Sequence, residues 1–98
     1  MIIEKKIEGN DITLKLSGRL DTTTAPELES ELDSCIPHSK TLVFDMKELD
    51  YISSAGLRVI LKAQKMMNVQ GNMKLSGVNE SVLEVFEITG FADILTIE

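Results

Sequence analysis

Leu49-Asp50-Tyr51-Ile52-Ser53-Ser54-Ala55-Gly56-Leu57-Arg58-Val59-Ile60-Leu61 is the stretch on which the fold turns. Just upstream, Leu42-Val43-Phe44 is a short continuous apolar run, the pattern of a strand buried on both faces, and it ends at Asp45-Met46. Downstream, Ala55, Gly56, Val59, Ile60, Ala63 and Met67 recur at helical spacing and predict a helix over about Ser54–Met67. The segment therefore reads as strand, turn, helix, with two serines where the helix begins. A helix N-terminus carries unpaired amide donors and about half a unit of positive charge. A hydroxyl placed there caps the helix in the ordinary case, and a phosphate on it would be tolerated by the same amides.

Working outward, Ile3 and Ile7 punctuate Ile2–Glu8, while Ile12, Leu14 and Leu16 alternate with polar residues along Asp11–Arg19. Two strands joined through Gly9-Asn10, a pair that tolerates positive φ, predict an antiparallel hairpin. Thr24-Ala25-Pro26-Glu27 has the form of a helix start: Thr24 as N-cap, Pro26 in the first turn and Glu27 closing a capping box. Ala25, Leu28, Leu32, Cys35 and Ile36 share one face of that helix, and Pro37 ends it. Cys35 is thus a core residue at the end of a helix unsuited to a reactive thiol. After the serine-bearing helix, Gln70-Gly71-Asn72 signals a turn into a short strand, Met73–Ser76. Asn79 caps a third helix over about Glu80–Thr89, with Val82, Leu83 and Phe86 inward and Gly90 at C′. A final short strand is expected at Ile94–Ile97. The order β-β-α-β-α-β-α-β predicts an α/β, or α+β-like, layered domain over residues 1–98: a mixed sheet with an N-terminal antiparallel hairpin, covered by helices.

Composition narrows the function. Ninety-eight residues suit one domain, and ten Lys+Arg against 16 Asp+Glu leave a net charge of −6, which argues against nucleic acid or an anionic membrane as partner. No signal-peptide pattern occurs at Met1–Gly9 and no apolar run approaches membrane-spanning length, so a soluble cytoplasmic location is expected. One cysteine and one histidine, Cys35 and His38, give no metal-ligand cluster and no nucleophile–base pair. No cofactor and no catalytic residue is expected. A phosphate-cradling loop would need several glycines before the helix, where only Gly56 stands.

On a helical projection Arg58, Leu61 and Lys65 fall within about 40° of Ser54, and Lys62 lies about 80° away. One face thus combines a terminal serine, three cations and a leucine outside the core. A solvated face has the same pattern; so has a face that meets a partner.

Four segments carry a resemblance: Ser53-Ser54-Ala55-Gly56-Leu57-Arg58-Val59-Ile60-Leu61; Ser17-Gly18-Arg19-Leu20-Asp21 with Thr24-Ala25-Pro26-Glu27-Leu28; Leu42-Val43-Phe44-Asp45-Met46; and Phe86-Glu87-Ile88-Thr89-Gly90-Phe91. In this order and at this spacing they resemble the bacterial anti-sigma factor antagonists, whose fold is the STAS domain, along essentially the whole chain. The resemblance implies a non-enzymatic protein. It would bind an anti-sigma factor that is also an ATP-dependent serine kinase, release a sigma factor, and be switched off by phosphorylation and on again by a serine phosphatase. It puts the phosphoacceptor at Ser54, with Ser53 the runner-up, and the partner surface at Asp21, Thr23, Ser53, Ser54, Gly56, Arg58, Leu61 and Lys65. The residue before the acceptor is normally Asp in that family and is Ser53 here. That departure favours a second reading, a constitutive STAS scaffold in a transporter or sensory complex without regulated phosphorylation; a third, a small enzyme or nucleotide-binding domain, has no glycine-rich loop to support it.

Overall fold

A computed structural model describes residues 1–98. Its elements are β1 (Ile2–Glu8), β2 (Asp11–Leu20), α1 (Ala25–Cys35), β3 (Thr41–Ile52), α2 (Ser54–Gln70), β4 (Asn72–Ser76) and α3 (Glu80–Ile88), with 3-10 turns at Ile36–His38 and Phe91–Asp93. The sheet order is β1-β2-β3-β4. β1 runs antiparallel to β2, with Glu8 opposite Asp11 across the Gly9-Asn10 turn, and Gly9 takes the positive φ of 62° that this turn requires. β2–β3 and β3–β4 are parallel, each pair joined through a helix.

Ile12, Leu14, Leu16 and Leu20 of β2, Leu42, Phe44 and Met46 of β3 and Met73 and Leu75 of β4 all point to one face. They join the buried faces of α1, α2 and α3 in one cluster of 24 apolar side chains, Cys35 among them. The predicted inward positions of α1, Ala25 through Ile36, are all buried, as are Val59, Ile60 and Ala63 of α2. The opposite face of the sheet carries Glu4, Lys6, Thr13, Lys15, Val43 and Asp45, paired strand to strand in that register and partly open to solvent. β3 is therefore central but buried on one face only. Val43 is half-exposed, and the continuous apolar run had suggested otherwise.

Three further expectations are corrected. The strand predicted to stop at Met46 continues to Ile52. Relative to β2 it carries two extra residues, since Lys15 and Ser17 face Asp45 and Glu48, while Gly18 and Arg19 face Leu49 and Tyr51. Each bulge breaks the two-residue alternation, so Met46, Leu49 and Ile52, three apart, stay on the core side. Thr24 precedes α1 but makes no side-chain cap, and Glu27 closes no capping box. The Thr24 hydroxyl is occupied elsewhere, as described below. The expected last strand is a 3-10 turn followed by one parallel bridge, Leu75 to Ile97, in which the Leu75 amide donates to Thr96 O and the Glu98 amide to Leu75 O. Leu95 alone in that segment is buried, which anchors it without a ladder.

Candidate functional site

The C-terminal ends of the parallel strands β2 and β3 lie side by side, and the chain leaves each of them into a helix. The Ser53 amide donates to Leu20 O at 2.8 Å, tying the two exits together. Ser53 is the N-cap of α2: its backbone is extended and its Oγ accepts from the Gly56 amide at 3.3 Å. Ser54 is therefore the first helical residue, and it is exposed. Gly56 is buried, and a Cβ there would lie 2.9 Å from Leu20 O and 2.5 Å from Leu20 Cγ. Of the residues assigned to the partner surface, Gly56 thus acts from behind it, by letting the first turn of α2 rest on the end of β2.

The exit of β2 is a knot of short polar bonds. One Asp21 carboxylate oxygen accepts from the Thr23 and Thr24 amides, both at 3.0 Å. Thr24 Oγ1 accepts from the Asp21 amide at 2.9 Å and reaches Arg19 O at 2.8 Å. The Thr24 amide first, then the Thr23 amide and the Thr24 hydroxyl, hold the Asp21 carboxyl below its ordinary range against desolvation, which opposes them and is second in size only to the Thr24 amide; Arg19 adds least to the lowering. Arg19 Nε lies 3.9 Å from Asp21 Oδ2, and its guanidinium stacks 4.1 Å over the Tyr51 ring. Arg19 and Tyr51 were not among the expected site residues. Their partnership follows from the bulged register that sets them opposite each other, a relation between positions 32 apart in the chain.

Further along α2, Arg58 and Lys65 are exposed and neither forms an ion pair within the chain. Lys62, expected on the same face, turns toward α1 instead, its Nζ 3.7 Å from Glu29. Leu61 is half-buried and packs on the edge of the core, where the projection had placed it outside. The structure thus gathers Asp21, Thr23, Ser53 and Ser54 at one end of the sheet and runs Arg58, Leu61 and Lys65 away from them along α2. No cluster of three potential metal ligands occurs, and no helix is long and apolar enough to cross a membrane.

The anti-sigma-B factor antagonist of Bacillus subtilis is 32% identical over 96 residues, which cover 97% of this chain and 88% of that protein. BtrV of Bordetella bronchiseptica, to which an anti-sigma factor antagonist role is attached by name, is 42% identical over 94 residues, covering 94% and 80% of the two chains. The fold superposes on the anti-sigma factor antagonist SpoIIAA in its unphosphorylated form with a TM-score of 0.84, covering 99% of this chain and 88% of that one at 17% identity. The STAS domain family matches residues 3–98, and the chain belongs to it.

Proposed function

We propose that this chain is an anti-sigma factor antagonist that binds an anti-sigma factor with serine kinase activity and is switched off when Ser54 is phosphorylated. The observation that carries the reading is local. The Ser53 hydroxyl is engaged as the helix cap, whereas Ser54 stands exposed one residue on, at the end of the sheet where the Ser53 amide bonds Leu20 O, the residue before Asp21. The capping serine is the poorer acceptor because its oxygen already serves the Gly56 amide.

In this reading the protein works by binding rather than by catalysis, as one STAS domain over residues 1–98 in the cytoplasm. Asp21, Thr23, Ser53 and Ser54 form the upper contact surface, and Arg58, Leu61 and Lys65 continue it. A phosphate on Ser54 adds about −1.5 to −2 charges, and the first-turn amides of α2 stabilise it, so the fold survives. The same charge adds to that of the ionised Asp21 carboxylate at this end of the sheet and repels an acidic partner patch. A serine phosphatase reverses the change.

The test is incubation with ATP and the anti-sigma kinase encoded nearest to this chain, followed by mass spectrometry. Wild type and Ser53→Ala should take up one phosphate, and Ser54→Ala none while still binding the kinase. Ser54→Asp should bind poorly. Continued labelling of Ser54→Ala, with loss in Ser53→Ala, moves the acceptor to Ser53. Tight binding with no phosphate on either serine favours the constitutive scaffold.

A further inference from the structure

The exposed side of α2 borders a groove whose other wall is the C-terminal segment. Arg58, Leu61, Lys62, Lys65, Phe91 and Ile94 line a cavity of about 480 Å³. Its floor is apolar, its rim holds the unpaired cations Arg58 and Lys65 with the stem of Lys62 between them, and none of the chain's 16 carboxylate side chains lines it. Glu29 answers Lys62, but Arg58 and Lys65 have no carboxylate partner. Ile94 is 55% exposed, an apolar side chain left open beside Leu61 and Phe91. Alternate residues of the same segment, Asp93 and Leu95, line a second cleft against α3 together with Glu87 and Glu98. The segment therefore separates a basic groove from an acidic one, on a molecule of net charge −6.

We propose that the basic groove seats an acidic amphipathic helix of the partner protein. An apolar side chain of that helix would rest on Leu61, Phe91 and Ile94, and its carboxylates would meet Arg58 and Lys65. The charge pattern selects this occupant. An extended polyanion such as nucleic acid or an anionic membrane would overrun the groove and meet Glu87, Asp93 and Glu98 of the neighbouring cleft, whereas a short segment with one apolar and one acidic face need touch only the basic side. The inference rests on the antagonist reading above and deepens it by naming the chemistry of the bound segment. It also ties the groove to the switch: Arg58 stands one turn from Ser54, at the i,i+4 spacing at which helix side chains meet. A phosphate on Ser54 draws Arg58 away from the groove and weakens the acidic segment's hold.

The test uses the full chain, labelled with nitrogen-15, and a synthetic peptide of about 18 residues, long enough to hold a helix. One face of the peptide carries Leu and Ile and the other Glu; a second peptide has Lys in place of every Glu. Saturable amide shifts should centre on Leu61, Lys65, Phe91 and Ile94, with the acidic peptide at least about tenfold tighter than the basic one. Ile94→Ser, and separately the Arg58→Glu/Lys65→Glu pair, should each weaken it about tenfold or more while leaving the melting temperature nearly unchanged. Equal affinity for the two peptides, shifts centred elsewhere, or no saturable shift overturns the proposal. So does a kinase partner that binds Ile94→Ser as tightly as wild type. The peptide arm involves neither kinase nor phosphate. A groove that binds the acidic peptide while Ser54 is never phosphorylated removes only the switch, and normal phosphorylation with an inert groove removes only this inference.

Discussion

Replacing Gly56 by alanine probes the one close approach on which the position of Ser54 depends. In an open helix the change is stabilising, because alanine exceeds glycine in helix propensity by about 0.8–1 kcal/mol. Here the new methyl would lie 2.5 Å from Leu20 Cγ and 2.9 Å from Leu20 O. Leu20 has no exposed surface into which to retreat, and its carbonyl already accepts the Ser53 amide at 2.8 Å. Relief therefore requires α2 to lift from the end of β2. Overpacking of this kind costs about 1–3 kcal/mol, and weakening the Ser53–Leu20 hydrogen bond adds about 1 kcal/mol. Set against the propensity gain, the net loss is about 1–3 kcal/mol. For a chain of this length each kcal/mol lowers the melting temperature by roughly 4–8 °C. Thermal melts followed by circular dichroism measure the loss, and amide spectra of Ser53 and Ser54 show whether the helix start has moved. An alanine variant that melts at or above the wild-type temperature, with those amides unshifted, would refute the claim that Gly56 lets α2 sit on Leu20.

Ser53→Ala removes the α2 cap and should cost about 1 kcal/mol, read as a melting temperature lower by several degrees. Asn79→Ala should cost more, about 1–2 kcal/mol in a denaturant titration. Its Oδ1 caps α3 through the Val82 amide at 2.9 Å, while its Nδ2 donates to Leu49 O at 2.7 Å and pins the helix to β3. The Asp21 carboxyl is held below its ordinary range in the fold, so its contribution is fully present above the unfolded value near about 4 and is lost as pH falls through the lowered one. Melts across that acidic range should show Asp21→Asn losing less stability than wild type, and parallel curves would show the carboxylate to be unimportant. Leu61→Ala should lower stability by about 1 kcal/mol, as its half-burial implies, yet weaken partner binding more than Lys65→Ala does in a calorimetric titration.

Much of this molecule is written within a few residues along the chain. The hairpin follows from Gly9-Asn10 between alternating strands, the buried face of α1 from Ala25, Leu28, Leu32 and Cys35, and the capped starts of α2 and α3 from Ser53 and Asn79. Periodicity and capping are contacts between neighbours in sequence, so the sequence by itself determined them, together with the order of the elements from β1 to α3 and the exposed place of Ser54. The features that escaped it all depend on segments meeting across the fold. Two bulges against β2 carry β3 on to Ile52 and set Arg19 over Tyr51. The demands of Asp21 and Arg19 O take the Thr24 hydroxyl from its cap. Glu29 on α1 draws Lys62 out of the expected row of cations. Leu95 anchors the last segment as a turn, which leaves Ile94 and Phe91 facing Leu61. Register, side-chain competition and groove walls are set by whichever distant partner packs best, and that choice exists only once the core around Leu20, Phe44 and Ile60 has closed.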